Sequence, residues 1–387
     1  IKKLKLKFSN ELYAQILINK NINKIFFKGQ LKDSQKLYDF YINSLQIKEP
    51  NFYFRAGINA YKLKNLNKAK KYFLKCQENI YYFDEWQIAA CLYWHAMTED
   101  SKNKQTNILK EATRYPRTFY GQLSLELLKL PDPFIWGKKE AEFDAKRLKG
   151  FKKNKVFRRA VALTELYLYN KADLEIRNFY SFIDQNELRN LFLASEELNL
   201  AAVLIRLGSK FSELDSTIYL RGLYPTPKWQ IKNGYLLDKA FLFAVIRRES
   251  AFNFKAKSQK GARGLMQLMP RTASKLHNDY RLRYGNAHKL YSMELNLAIG
   301  QKFLIDLIDS PSTNNSLLET LIAYNAGIKR LNNWKNNINE NNPIAFIESI
   351  PIKETRWFVK YILTDLWIYR DKFGQDKPTR EFLANKK

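Results

Sequence analysis

The sequence is poor in the residues that most often announce a metal or redox site. It has 2 cysteines and 3 histidines in 387 residues. Cys76 and Cys91 stand 15 positions apart, and His95, His277 and His288 are scattered, so no pair has the CxxC or HExxH spacing of a metal site. A metal is not expected, and no cofactor motif is present. The two cysteines suit a disulfide in an oxidising compartment and two buried thiols equally well. No apolar run approaches the roughly 20 residues of a membrane span. The chain opens on Ile1-Lys-Lys-Leu-Lys-Leu-Lys-Phe8, with neither an initiator methionine nor a signal sequence. It reads as a mature or trimmed form, and export is not legible from its N-terminus. Only 14 glycines and 11 prolines interrupt the chain, which suits a mostly helical protein with short connections.

Acidic residues are outnumbered as well, 38 against 66 Lys and Arg, for a net charge of +28. Such a balance calls for a polyanionic partner: nucleic acid, a cell wall carrying peptide carboxylates, or anionic lipid. Lysines that merely solubilise helix surfaces explain it equally well, so charge alone decides nothing. Hydrophobic residues at 45% and aromatics at 14% are enough for packed cores and exclude a disordered chain. The length predicts two or three domains.

Residues 1 to about 225 read as a succession of short amphipathic helices. Between Asn51 and Gln77, Gly57, Ala60 and Ala69 are small enough for two antiparallel helices to approach closely, with Phe73 filling the gap. One such unit resembles a tetratricopeptide repeat, but no array is evident. Helical periodicity continues over Cys91–Thr98, Gln105–Arg114, Phe119–Leu130, Phe157–Asn170 and Leu188–Leu207, which predicts an irregular solenoid. Leu130-Pro-Asp-Pro-Phe134 interrupts it, followed by a charged stretch from Lys138 to Lys155. The main boundary is expected at Tyr224-Pro-Thr-Pro-Lys228, where two prolines at alternate positions forbid helix. A module of about 160 residues follows.

Within that module, Leu242, Val245, Ile246 and Glu249 fall at i, i+3, i+4 and i+7, which puts Glu249 on the apolar stripe of its own helix. Burial there, and the negative end of the helix dipole if the helix ends after Ser250, both favour the protonated acid. A proton donor near neutral pH requires this setting. A solvated Glu, or one paired with Arg247 or Arg248, fits the same stretch and is commoner. Ser258-Gln-Lys-Gly261-Ala-Arg-Gly264 is loop-like, its two glycines permitting tight turns and close approach by a ligand. Gln267 stands among apolar residues and must find partners in the core or on a sugar amide. Pro270 suits the first turn of a new helix. Leu317–Gly327 reads as a helix ended by Gly327, with Leu318, Leu321, Ile322 and Asn325 on one face. Taken alone, Asn325 suits a cap for a neighbouring helix.

Together, Glu249-Ser250, then S-x-x-G-A-x-G-L-M-Q-x-M-P from Ser258, then Ala323-Tyr-Asn-Ala-Gly327 about 75 residues after the acid, resemble the Slt-type lytic transglycosylases. The resemblance continues through Ile350-Pro-Ile-Lys-Glu354-Thr-Arg356 and covers nearly all of 226–387. It extends upstream through Tyr93-Trp94, Tyr115–Leu123 and Tyr224–Pro227. It implies an all-α architecture: a superhelical domain over 1–148, a helical linker domain over 149–225 and a goose-lysozyme-like catalytic domain over 226–387. It implies Glu249 as the sole catalytic acid/base. Ser258, Gln267, Met269, Tyr324, Asn325 and Glu354 correspond to substrate-binding residues. The chain departs from the family at Phe358, where tyrosine is common, so a phenol hydrogen bond is missing while packing survives.

The resemblance also implies peptidoglycan glycan strands as the partner, other cell-wall enzymes as further candidates, a monomer in the periplasm, and no nucleic acid. The reaction it implies splits the N-acetylmuramic acid–N-acetylglucosamine bond without water, leaving a 1,6-anhydro ring, and needs no cofactor. A hydrolytic muramidase and an inactive helical scaffold are the alternatives.

Overall fold

Several helices begin where the sequence supplies a side-chain cap. Asp84, Ser101 and Thr118 accept hydrogen bonds from the backbone N–H of Gln87, Lys104 and Gly121, and each opens a helix. The computed structural model describes residues 12–44, 49–78, 84–136, 151, 153–180, 185–215, 220–231 and 234–386. The charged run from Lys138 lies mostly outside them, as does the junction at 148 and 149. The architecture is all-α; the described residues hold only isolated β-bridges, at Lys257–Arg263 and Arg263–Leu268.

The chain forms two compact units. One comprises Ile1–Pro133, Ser310–Ile368 and Asp376–Lys387. Its first part is a run of helices: Leu12–Phe27, Leu31–Ser44, Pro50–Lys62, Leu66–Glu78, Glu85–Met97, Lys102–Thr113 and Phe119–Leu127. Neighbours pack in sequence order, each covering the apolar face of the last. The Pro50–Lys62 and Leu66–Glu78 pair packs as its small residues require. A Cβ placed on Gly57 would lie 2.6 Å from the Phe73 ring, so only glycine lets that ring fill the gap. Cys76 and Cys91 are both buried, with Cα atoms 6.0 Å apart, and form a disulfide between successive helices. The Pro378–Asn385 helix packs on Phe119–Leu127, where Arg380 donates to Glu126, Gln122 and Asp132 at 2.9, 2.7 and 2.7 Å.

The other unit comprises Phe134–Asp309 and Tyr369–Gln375. Its helices Lys155–Glu165, Tyr169–Tyr180, Gln185–Glu197 and Ala201–Asp215 bury Phe157, Ile176, Leu191, Phe192 and Leu207 in one cluster. Two expected helices are each two. Phe157–Asn170 breaks at Tyr167 (φ 58°) and Leu188–Leu207 at Asn199 (φ 56°), because a left-handed residue turns the chain back and lets both halves share the cluster. The Phe119–Leu130 stretch stops at Leu127, ahead of a left-handed Lys129 (φ 54°). Pro225 to Ile231 is non-helical, as its prolines dictate. Tyr369 Oη and Lys372 Nζ donate to the carbonyls of Pro225 and Tyr224, at 3.1 and 2.7 Å, and hold this stretch down.

Candidate active site

The helix that carries the acid, Lys239–Ser250, is more deeply set than a single apolar stripe requires. Every residue from Ala240 to Ile246 is buried, so the helix is apolar on all sides through its first half. Asp238 caps its start, accepting from Ala240 N–H at 3.1 Å while pairing with Arg370 at 3.0 Å. Glu249 lies half-buried in the last turn. Arg247 is engaged elsewhere: its Nε donates to the Leu223 carbonyl at 2.8 Å and its guanidinium lies over Tyr224.

The helix ends where the sequence suggests. Ala251 and Phe252 take φ of 47° and 61°, and Ala251 N–H closes back onto the Arg247 carbonyl. Phe252 and Phe254 then bury themselves against Trp229, at 5.7 and 5.3 Å between ring centres. That aromatic anchor fixes where the chain goes after Glu249.

The following loop is tied by its own backbone and by two amide side chains. Ser258 Oγ accepts from Ala262 N–H at 3.0 Å, and Arg263 and Leu268 exchange both backbone hydrogen bonds. Gln267, at φ 45°, finds its partners within the protein: Nε2 donates to the carbonyls of Ala256 and Gly264 at 3.1 and 2.9 Å. No donor among the described residues reaches its Oε1. Met269 is exposed and directly precedes the Pro270–His277 helix. Gly264 is indeed a place of close approach, but to protein. With φ 79°, any Cβ there would run into the Leu290 carbonyl and Asn296.

Asn296 is the residue that sequence reading missed. It is 1% exposed on the Met293–Ile308 helix. Its Oδ1 accepts from Met266 N–H at 2.8 Å, and its Nδ2 donates to the carbonyls of Arg263 and Leu290 at 2.9 and 2.8 Å. A signal existed: Asn296 shares a buried stripe with Ile299 and Gly300 at i+3 and i+4, the criterion applied to Glu249.

Glu249, Ser258, Gln267 and Met269 thus gather in one unit, on a helix end and the loop it feeds. Tyr324, Asn325 and Glu354 gather in the other. The Leu317–Ala326 helix, capped by Ser316, ends at Gly327 (φ 90°). Asn325 caps no helix: its Oδ1 accepts from Thr355 Oγ1 at 2.7 Å, beside Glu354 in the first turn of Lys353–Lys372. Tyr324 stacks on Phe358 with ring centres 6.2 Å apart and planes 8° from parallel. The phenylalanine therefore keeps its packing role. Tyr361 packs against Trp86 and Trp357.

Residues 229–347 match the family of the transglycosylase SLT domain. The chain carries a transglycosylase SLT domain. The domain includes every candidate residue except Glu354. Over 149 residues the chain is 38% identical to the soluble lytic murein transglycosylase of Escherichia coli K12, a stretch covering 38% of this chain and 23% of that protein. The protein of the same name from Salmonella typhimurium is 37% identical over 144 residues, 37% of this chain and 22% of its own. The matched stretch therefore spans less than a quarter of either relative. In fold the likeness runs further than the SLT domain. The 70-kDa soluble lytic transglycosylase in complex with bulgecin A superposes with a TM-score of 0.70 at 24% identity, over 90% of this chain and 55% of that one. An inactive mutant of lytic transglycosylase Slt from Pseudomonas aeruginosa gives 0.64 at 20% identity, over 96% and 66%.

Proposed function

We propose that the chain is a peptidoglycan lytic transglycosylase that splits the β-1,4 bond between N-acetylmuramic acid and N-acetylglucosamine, with Glu249 as its one acid/base. The observation that carries this reading is the position of Glu249. It is the one acidic residue of a buried helix, half-buried in the final turn, within a stretch that matches the SLT domain. The names of the relatives support murein as substrate.

Two-carboxylate glycosidases set their acids about 5–5.5 Å apart for retention or about 6.5–9.5 Å for inversion. Asp238, the nearest acid upstream, is engaged as a helix cap and as the partner of Arg370, which favours a scheme with one carboxylate. Protonated Glu249 gives its proton to the bridging oxygen as the glycosidic bond breaks, and the 2-acetamido group stabilises the cationic C1. The Glu249 carboxylate then takes the proton of the muramic C6 hydroxyl, whose oxygen attacks C1 and closes the 1,6-anhydro ring. The proton returns to Glu249 and no water is consumed.

Ser258, Gln267 and Met269 would line the groove beside the acid, Gln267 offering Oε1 to a sugar N–H; Tyr324, Asn325 and Glu354 would contact the strand. The same proposal keeps the order of a superhelical domain over 1–148, a linker domain over 149–225 and the catalytic domain over 226–387, acting as a monomer. The Cys76–Cys91 disulfide supports an oxidising compartment, hence the periplasm.

Mass analysis of products from purified sacculi tests the reading. Anhydro-muropeptides are expected from the wild type and none from Glu249→Gln. Products heavier by one water would make the protein a muramidase, and an inert wild type would make it a scaffold.

A further inference from the structure

The unit formed by Ile1–Pro133, Ser310–Ile368 and Asp376–Lys387 holds a cleft of about 200 Å³ that the reaction above does not use. Arg55, Trp86, Arg356, Trp357 and Lys360 line it, and Glu348 forms its floor. On the Lys353–Lys372 helix the cleft takes positions 353, 356, 357 and 360, one face at i, i+3, i+4 and i+7. Glu354 and Phe358 belong to a different face, the latter against Tyr324. The cleft is therefore a separate surface from the one that carries the proposed substrate residues.

Its charge is unbalanced. Glu348 is fully buried; its Oε1 accepts from Lys360 Nζ at 2.6 Å and from Tyr120 Oη at 2.8 Å. Its Oε2 lies 3.2 Å from Arg55 Nη1 but receives no hydrogen bond, since that nitrogen donates to the Glu348 carbonyl instead. Arg356, 6% exposed, donates to the Ile350 carbonyl. Lys353 adds a fourth cation and Glu49 a second carboxylate, itself held by Asn19 at 3.1 Å. Four cations thus face two carboxylates. Gathering like charges out of water is costly unless an anion answers them. Burial and the neighbouring Arg55 both oppose the charge on Arg356.

Among these cations the lining is aromatic and rich in amides, with Lys360 Nζ over the Trp357 ring, 4.3 Å from its centre. Trp86 and Trp357 meet edge-to-face with centres 5.9 Å apart, both resting on Tyr361. Asn51 and Gln87 bridge at 3.4 Å beside them. Indole faces offer apolar area with little entropy to lose, amides pair with acyl groups, and guanidinium forks suit carboxylates.

We propose that this cleft is a second glycan-binding site, which takes an N-acetylated amino sugar bearing a carboxylate. The carboxylate sits between Arg55 and Arg356, and the sugar ring lies against Trp86 and Trp357. The proposal rests on the reading that the protein acts on peptidoglycan.

The test uses the full chain labelled with 5-fluorotryptophan, with Trp86→Phe and Trp357→Phe assigning two of the 7 tryptophan signals. N-acetylmuramic acid is expected to shift both fluorine resonances saturably, at about a tenth of the concentration that N-acetylglucosamine requires. Arg55→Gln should weaken the effect about tenfold, and Lys353→Glu, at the exposed mouth, should do the same without disturbing Glu348. Silent resonances, equal response to N-acetylglucosamine, or an equal response to inorganic phosphate overturns the proposal. Sacculus digestion on the same preparation separates the two readings: digestion with silent tryptophans removes only the cleft, whereas shifted tryptophans without digestion remove only the enzyme.

Discussion

Replacing Asn296 by alanine should loosen the loop that carries Ser258 and Gln267 without touching a residue of the proposed chemistry. The side chain makes three hydrogen bonds, to Met266 N–H and to the carbonyls of Arg263 and Leu290, at 2.8, 2.9 and 2.8 Å, and it is 1% exposed. Neutral hydrogen bonds contribute about 0.5–1.5 kcal/mol each, and water cannot reach this site to replace them, so the loss is about 2–4 kcal/mol. For a unit of this size each kcal/mol lowers Tm by about 2–4 °C, which gives a drop of about 5–15 °C. Because Met266 and Arg263 flank Gly264 and precede Gln267, the groove residues lose their register, and kcat/KM on glycan strands should fall about 10–100-fold. Asn296→Asp keeps the acceptor for Met266 but sets a carboxylate against two carbonyl oxygens, so it should be at least as destabilised. Differential scanning calorimetry and product release from sacculi read both effects. A Tm within about 2 °C of wild type, with unchanged product release, would refute the argument that this amide holds the loop.

Glu348 gives a pH dependence. Burial pushes its carboxyl up, but Lys360, Arg55 and Arg356 outweigh burial and bring it down from 4.5 to about 2. A depressed folded-state pKa supplies stability above the unfolded value and loses it as pH falls, so denaturation midpoints should drop between pH 4.5 and about 2, and drop less in Glu348→Gln. The Cys76–Cys91 bond closes a loop of 15 positions; reducing it should cost about 3 kcal/mol, read as a fall in the urea midpoint under dithiothreitol. Gly57→Ala should cost about 1–3 kcal/mol by driving a methyl into Phe73, and Phe73→Leu in the same chain should recover part of it, as a double-mutant cycle would measure.

Much of the stretch around Glu249 was legible because its signals are local. A helix stripe ending in Glu249, two glycines of a tight loop, and a proline opening the next helix each depend on residues a few positions apart, and all three lie where expected. The errors arose where local preference lost to packing. Tyr167 is not a residue that favours a left-handed turn, yet it takes one because two helices then close on a common core. Asn296 escaped because its partners lie 6 to 33 residues away. Gln267 was open between core and ligand; its nitrogen turned to the core and its oxygen did not.

The sequence by itself determined the all-α class, the helix start at Pro270 and the helix ends at Ser250 and before Gly327, since backbone dihedrals act over one or two turns. Tertiary structure alone decided that Cys76 and Cys91 pair, that Asn325 binds Thr355 rather than capping a helix, and that Arg55 meets Glu348 across 293 positions. Those contacts form only when distant helices dock, and docking is driven by apolar area, which has no direction of its own until the whole core has assembled.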